Sequence, residues 1–310
     1  MQRRGLLKAM AAGSALGFLP FVKSAASSPA AASKFIYCLN MATIRGHRLG
    51  FVKELETASR AGFTAVEIWV ESLQEYLKTG GSLPEARKRI DGLGLTVANA
   101  IGFAAWILDD DSKRAAALEQ MKQEMDMLAA IGCRRTAAPP AGATGGALLD
   151  PDKVAERYRQ ALELGDKTGV VPHLELWGFS KNLSRLSQVM YVALQSKHPS
   201  AKVLLDIFHL YKGESGIETL PLLSKHSTDI LHMNDYSGTV APATITDADR
   251  IYPGDGVAPI AKVLKALAGT ERPLILSCEV FNKAYYAQDP LLVAKTAIAK
   301  MKAVVAKSGA

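Results

Sequence analysis

The second half of the chain places an ionisable group at the end of one short apolar run after another: Glu175 in "HLELWG", Asp206 and His209 in "LLDIFH", His232 with Asn234 and Asp235 in "LHMND", and Glu279 with Asn282 in "LSCEVFN". An unpaired charge is expensive inside an apolar layer, so each group belongs where its run leaves the core. Carboxylates and an imidazole gathered there, with coordination positions left for water or substrate, suit Mn2+, Mg2+, Co2+ or Zn2+. The excess of oxygen donors leans toward Mn2+. Any one of these residues alone reads equally well as a hydrogen-bonded loop residue. Glu175, Asp206, His232 and Glu279, all at equivalent run ends, argue together for a metal site.

Such convergence needs parallel strands that end at one mouth. Eight β-type runs recur, over residues 35–42, 64–70, 95–103, 133–141, 170–179, 202–210, 229–236 and 273–281. The fourth is the weakest, because "TAAPPAG" breaks up quickly. Between the runs the patterning is helical: "RLGFVKELETASRAG" sets Leu49, Val52, Leu55 and Ala58 on one face and closes on Gly62, and the tail "PLLVAKTAIAKMKAVVAK" is of the same kind. The alternation predicts an α/β protein, a (β/α)8 TIM barrel, with its chemistry at the C-terminal ends of the strands. An open doubly wound sheet is the alternative, but no glycine-rich dinucleotide turn follows the first run. No linker, low-complexity tract or charge block divides residues 33–310, which are expected to form a single catalytic domain.

Residues 1–32 read differently. Arg3 and Arg4 precede an apolar stretch over about 9–22 and then small residues suited to peptidase cleavage, as in an export signal. "RRGLLK" resembles the twin-arginine signal, which implies the twin-arginine translocase as a partner, a periplasmic destination, and export of an already folded chain that can load its metal first. An uncleaved anchor is the alternative. Removal of Arg3, Arg4, Lys8 and Lys23 lowers the formal net charge from +7 to +3, which gives no argument for nucleic acid. Cys38, Cys133 and Cys278 each lie in an apolar run and are expected as buried thiols rather than a disulfide or thiolate metal site.

Over residues 170–282, the order and placement of Glu175, Asp206 in a "D-x-x-H" setting, His232 and Glu279 resemble the sugar phosphate isomerase/epimerase family of xylose isomerase-like TIM barrels. The "PGDG" at 253–256 adds to the likeness, as does "AGFTAVEIW", which puts Glu67 and Trp69 near the same mouth. The resemblance implies a divalent metal on Glu175, Asp206, His232 and Glu279, and a small carbohydrate whose carbonyl and adjacent hydroxyl it binds, stabilising an enediolate. It makes Glu175 and Glu279 base and acid. A proton returned to the opposite face of the same carbon epimerises, and one returned to the neighbouring carbon isomerises. By the same analogy His209 binds a substrate hydroxyl or orients a ligand, with a core histidine as the alternative. Glu67, Trp177, Phe281 and Arg250 are further candidates for substrate contact. Trp177 and Phe281 each follow a proposed glutamate by two residues and so share its strand face. Trp69, Trp106 and Tyr236 are weaker candidates, with core packing as the competing reading.

Two departures narrow the substrate. The ketose 3-epimerases carry an acid six positions after the strand-five glutamate, where this chain has Lys181. They also carry an arginine soon after the strand-seven histidine, where it has "NDYSG"; Arg250 is the candidate replacement. Together with export, these features favour a non-phosphorylated sugar or ketosugar, an inositol derivative or an oxidised glycoside. The same groups can also abstract a proton beside a ketone and expel a β-leaving group, giving a lyase or dehydratase of a 3-keto-glycoside or inosose. A non-catalytic periplasmic sugar-binding protein is a third reading, against which the paired glutamates speak. A barrel endonuclease would need a multi-metal cluster with further histidines at strand ends, where few of the six present lie. A homo-oligomer is left open.

Overall fold

The protein is described by a computed structural model over residues 34–224, 226–268 and 272–310; the export signal expected over 1–32 lies outside these residues. All eight expected strands are present: β1 Phe35–Asn40, β2 Ala65–Trp69, β3 Thr96–Ile101, β4 Arg135–Ala138, β5 Val171–Glu175, β6 Lys202–Asp206, β7 Ile230–Met233 and β8 Leu274–Cys278. They lie parallel in the order β3-β2-β1-β8-β7-β6-β5-β4, so that the first strand pairs with the last and the sheet curls into a nearly closed barrel. Among the described residues no backbone ladder joins β3 to β4. Side chains bridge that seam instead: Arg135 Nη1 donates to Ala98 O and Thr136 Oγ1 to Ala100 O, both at 3.3 Å.

Helices follow the strands around the outside: α1 Phe51–Ala61, α2 Val70–Lys78, α3 Leu83–Gly92, α4 Asp111–Ala130, α5 Pro151–Thr168, α6 Leu186–Gln195, α7 Ile207–Lys212, α8 Ile260–Leu267, α9 Lys283–Tyr286 and α10 Pro290–Ser308. Two of the three long helices, α5 and α10, open on Asp-Pro. Asp150 accepts from the Asp152 amide and Asp289 from that of Leu292, while the proline occupies a position whose N–H has no helical partner. Gly62 ends α1 at φ +94, a conformation that favours glycine.

The sequence runs overshoot the strands at their C-terminal ends, as far at β5 as at β6. At β6 the apolar pattern continues to Leu210, but the backbone turns helical after Asp206, whose Oδ1 accepts from the His209 amide at 2.9 Å and caps α7. β4 stops early because Pro139 and Pro140 have no N–H to give a ladder.

A large apolar layer fills the space between strands and helices, with Leu39, Val66, Ile68, Leu205 and Leu276 facing outward into it. Inside the barrel a smaller plug contains Cys38, Ala65, Leu204, Ile230 and Ile275. Two residues further along each strand, on the same face, come Asn40, Glu67, Asp206, His232 and Ser277, all buried. The period-two rule thus stacks a polar layer directly on the apolar plug at the C-terminal end. All three cysteines are buried free thiols, and burial pushes those of Cys133 and Cys278 up to about 12.

Candidate active site

Asp206, His232 and Glu279 are buried and present ligand atoms all within 4.8 Å of one another. His232 Nδ1 lies 3.1 Å from Glu279 Oε2, 3.5 Å from Asp206 Oδ2 and 3.8 Å from Glu175 Oε1. The other ring nitrogen, Nε2, is 3.0 Å from Glu67 Oε1. Glu67 also accepts from Asn99 Nδ2 at 2.6 Å, Asn40 Nδ2 at 2.9 Å and Ser277 Oγ at 2.5 Å. Burial alone would raise its pKa, but His232, Ser277 and Asn99 hold the carboxyl below its ordinary value.

The remaining acids differ in character. Burial pushes Glu175 up to about 8; His232 counters this, while the carboxylates of Glu279, Glu67 and Asp206 reinforce it. Glu279 is also raised by burial, against the pull of His232 and Arg250. Asp206 stays well below the carboxylate range despite burial, because Arg250, His209 and His232 face it. For His232 burial opposes a charge, yet Glu279 and Glu67 hold its pKa well above the usual imidazole value.

Arg250 is only 1% exposed and reaches into the centre of this cluster. Its Nη1 donates to Asp206 Oδ2 at 2.5 Å and Glu279 Oε2 at 3.1 Å, and its Nη2 to Asp247 Oδ1 at 2.7 Å. His209 Nε2 stands 3.2 Å from the same Nη2. A guanidinium can only donate, so that nitrogen accepts, and the ring carries its hydrogen on Nδ1. Burial lowers the His209 pKa to about 4, consistent with this neutral form. The backbone holds Arg250 in place through a two-way bridge between Asp235 and Ile251, each N–H···O distance being 2.9 Å. Asp235 in turn accepts from the amides of Gly254, Gly256 and Ala258. A Cβ at Gly256 would come within 2.2 Å of Tyr236 O, which explains the second glycine of "PGDG".

Above the cluster runs an arc of rings. Centroid separations are 6.4 Å from Phe281 to Trp69, 5.2 Å to Phe103, 6.2 Å to Trp177, 5.2 Å to Phe179 and 5.5 Å on to His209.

The donor set fits a divalent metal. His232 Nδ1 is buried without a hydrogen-bond partner, is fixed from behind by Glu67, and faces oxygens of Asp206 and Glu279. Glu67, Glu175, Asp206 and Glu279 outnumber the cations His232 and Arg250, a surplus of buried acid that a divalent ion would offset.

Residues 55–304 match a family described as xylose isomerase-like TIM barrel. The chain belongs to this family. An inosose isomerase of Bacillus velezensis is 24% identical over 275 residues, which cover 87% of this chain and 97% of that protein. A crystal structure of an IolI protein with a bound zinc atom has a TM-score of 0.80 at 23% identity, covering 88% of this chain and 99% of the other. The structure of L-ribulose 3-epimerase has a TM-score of 0.68 at 19% identity, covering 88% and 95% of the two chains.

Within this xylose isomerase-like barrel, Glu175, Asp206, His209, His232, Arg250 and Glu279 are brought together, and Trp177 and Phe281 stand in the arc above them. Glu67 lies at the expected level but is 0% exposed with both oxygens engaged, so it meets His232 rather than an open surface. Trp106 is core: 0% exposed, it donates to Pro139 O. Tyr236 is buried and stacks on Tyr211. Lys181 turns toward the 144–146 loop, its Nζ donating to Gly146 O at 3.1 Å. Asn40, Asn99 and Ser277, which surround Glu67, were not singled out by the sequence, nor were Phe103 and Phe179. For Asn40 and Ser277 the available signal was a polar residue two positions beyond an interior apolar one.

Proposed function

We propose that the chain is a metal-dependent isomerase or epimerase of a non-phosphorylated sugar or ketosugar, acting in the periplasm. The observation that carries this reading is that Glu175 and Glu279 both reach His232 Nδ1, at 3.8 and 3.1 Å, as buried carboxyls with raised pKa values. Asp206, His232 and Glu279, with Glu175 beside them, would hold the ion. When bound, a divalent ion supplies a Lewis acid that makes the carbon between a substrate carbonyl and its neighbouring hydroxyl acidic. The oxygen-rich donors favour Mn2+, and the zinc atom of the IolI structure keeps Zn2+ as its competitor.

Glu175 and Glu279 move the proton. Two buried carboxyls that converge on one point can give and take a proton there, as a general acid and base must. Arg250 holds Asp206 and Glu279 in register, His209 offers its Nδ1–H to a substrate hydroxyl, and the aromatic arc, including Trp177 and Phe281, packs the C–H faces of a sugar. The basic residue at 181 and its outward turn support a grip different from that of the ketose 3-epimerases. The name of the Bacillus velezensis relative supports a neutral keto-polyol as the substrate class. The twin-arginine run supports export.

The test is incubation of the Mn2+- or Zn2+-loaded protein with ketosugars and inososes in D2O. One deuterium gained in an otherwise unchanged product is expected, together with its loss in folded Glu279→Gln and Glu175→Gln variants. Normal exchange in either variant sinks the assignment of that glutamate. Release of water or an aglycone would replace isomerisation by elimination.

A further inference from the structure

A groove of about 800 Å3 runs along the barrel rim beside the aromatic arc, between the segment joining β1 to α1 and helix α2. Its size is that of a small-molecule site. Arg45 links it to the active-site mouth: the guanidinium carbon sits 3.7 Å over the Trp69 ring, and Nη2 donates to Glu71 Oε2 at 2.6 Å. Arg45 and Glu71 form an open polar edge, with side chains 39% and 72% exposed. The rings of Phe51 and Tyr76, 5.3 Å apart, line the same groove.

Glu54 also lines the groove and is only 5% exposed, yet its Oε2 has no hydrogen-bond partner. Buried polar atoms are nearly always partnered; the same carboxyl bonds Ser72 and faces Arg45, and Oε2 is left over. Burial raises the Glu54 carboxyl above its ordinary value, against the pull of Ser72 and Arg45. Because Arg45 is already paired with Glu71, the groove is no simple anion trap. Paired charge, an unpartnered carboxyl oxygen and aromatic rings are together what a hydroxylated ring requires.

We propose that this groove is a second carbohydrate subsite, taking a hydroxylated ring joined to the reacting sugar, so that the substrate is a two-ring glycoside and not a free monosaccharide. This rests on the acidic cluster being the reaction centre. The linkage crosses the Arg45–Trp69 stack, and the second ring lies against Tyr76 beside Glu54.

Calorimetry on the metal-loaded full chain, titrated with glucose and with cellobiose, maltose, trehalose and sucrose, tests the proposal. At least one disaccharide should bind about tenfold tighter than glucose, in line with a further ring contact of about 1.4 kcal/mol. That ratio should fall toward one in Tyr76→Ala and Glu54→Leu, and in Glu71→Ala, whose exposed position leaves folding intact. A ratio of one in the unmodified chain, or a ratio unchanged by all three substitutions, overturns the proposal. The two readings fail separately. Groove-dependent disaccharide binding with normal deuterium exchange in the glutamate variants would remove the reaction centre and keep the subsite. Glutamate-dependent exchange with no disaccharide preference would do the reverse.

Discussion

Glu67 and His232 meet at 3.0 Å between Oε1 and Nε2, both wholly shielded from solvent. The carboxylate is ionised and can only accept, so Nε2 carries the hydrogen and Nδ1 is the nitrogen turned toward Asp206 and Glu279. In the metal-free protein those acids keep a proton on Nδ1 well above the usual imidazole range.

A metal must displace that proton. Affinity for Zn2+ or Mn2+ should therefore rise with pH, by up to about tenfold per unit while His232 remains protonated in the free protein, and binding should release a proton. Calorimetry in buffers of different ionisation enthalpy measures the release. A Glu67→Gln variant should bind about 10–100-fold more weakly, since an amide leaves the tautomer of His232 unfixed.

Arg250 bonds to Asp206 and Glu279 at once, so its removal leaves two buried acids without their guanidinium. Arg250→Ala should destabilise the metal-free protein by about 3–5 kcal/mol. Part of the loss should return on adding a divalent ion, giving the variant a larger metal-induced rise in Tm than the parent chain. Arg250→Lys should recover little, because one ammonium cannot span both carboxylates, Asp247 and His209. Equal metal-induced shifts in parent and variant would show that the arginine does not balance this charge.

Glu54 gives a pH-dependent expectation. Its folded pKa is raised above the unfolded value of 4.5. The stability associated with its protonated form is thus fully present below pH 4.5 and is lost as pH rises through the folded pKa. Glu54→Gln should raise Tm at pH 8, with the gain shrinking toward pH 4. Thermal melts across that range check the sign, and a gain independent of pH would contradict it.

The strands were legible because each is an apolar run, and the convergence of Glu175, Asp206, His232 and Glu279 because an ionisable residue stands near the end of four of those runs. Their exact ends were not. At β6 the apolar residues Ile207, Phe208 and Leu210 continue the pattern into a helix that only the cap on Asp206 announces. The shell behind the ligands was still harder to read. Asn40, Asn99 and Ser277 bear no charge, and they find Glu67 across 27, 32 and 210 positions of sequence. Once those partners are in place, both oxygens of Glu67 are occupied, which is why a residue that reads as a substrate contact turns out to brace a histidine. Phe103 and Phe179 sit just past strand ends, where their facing depends on loop geometry that period-two reasoning does not reach.

The seam between β3 and β4 gives the barrel a built-in line of unrolling. Arg135 and Thr136 hold it with side chains where a ladder of amides would otherwise run. Amide protection should therefore be lowest, among the strands, along Thr96–Ile101 and Arg135–Ala138, and substitution of Arg135 by alanine should lower it further without disturbing the β1–β8 pairing. The proposed metal ligands lie on β5 to β8 or just beyond them, on one continuous run of paired strands. The wall can thus loosen at its seam while the strands that carry the proposed ligands stay paired.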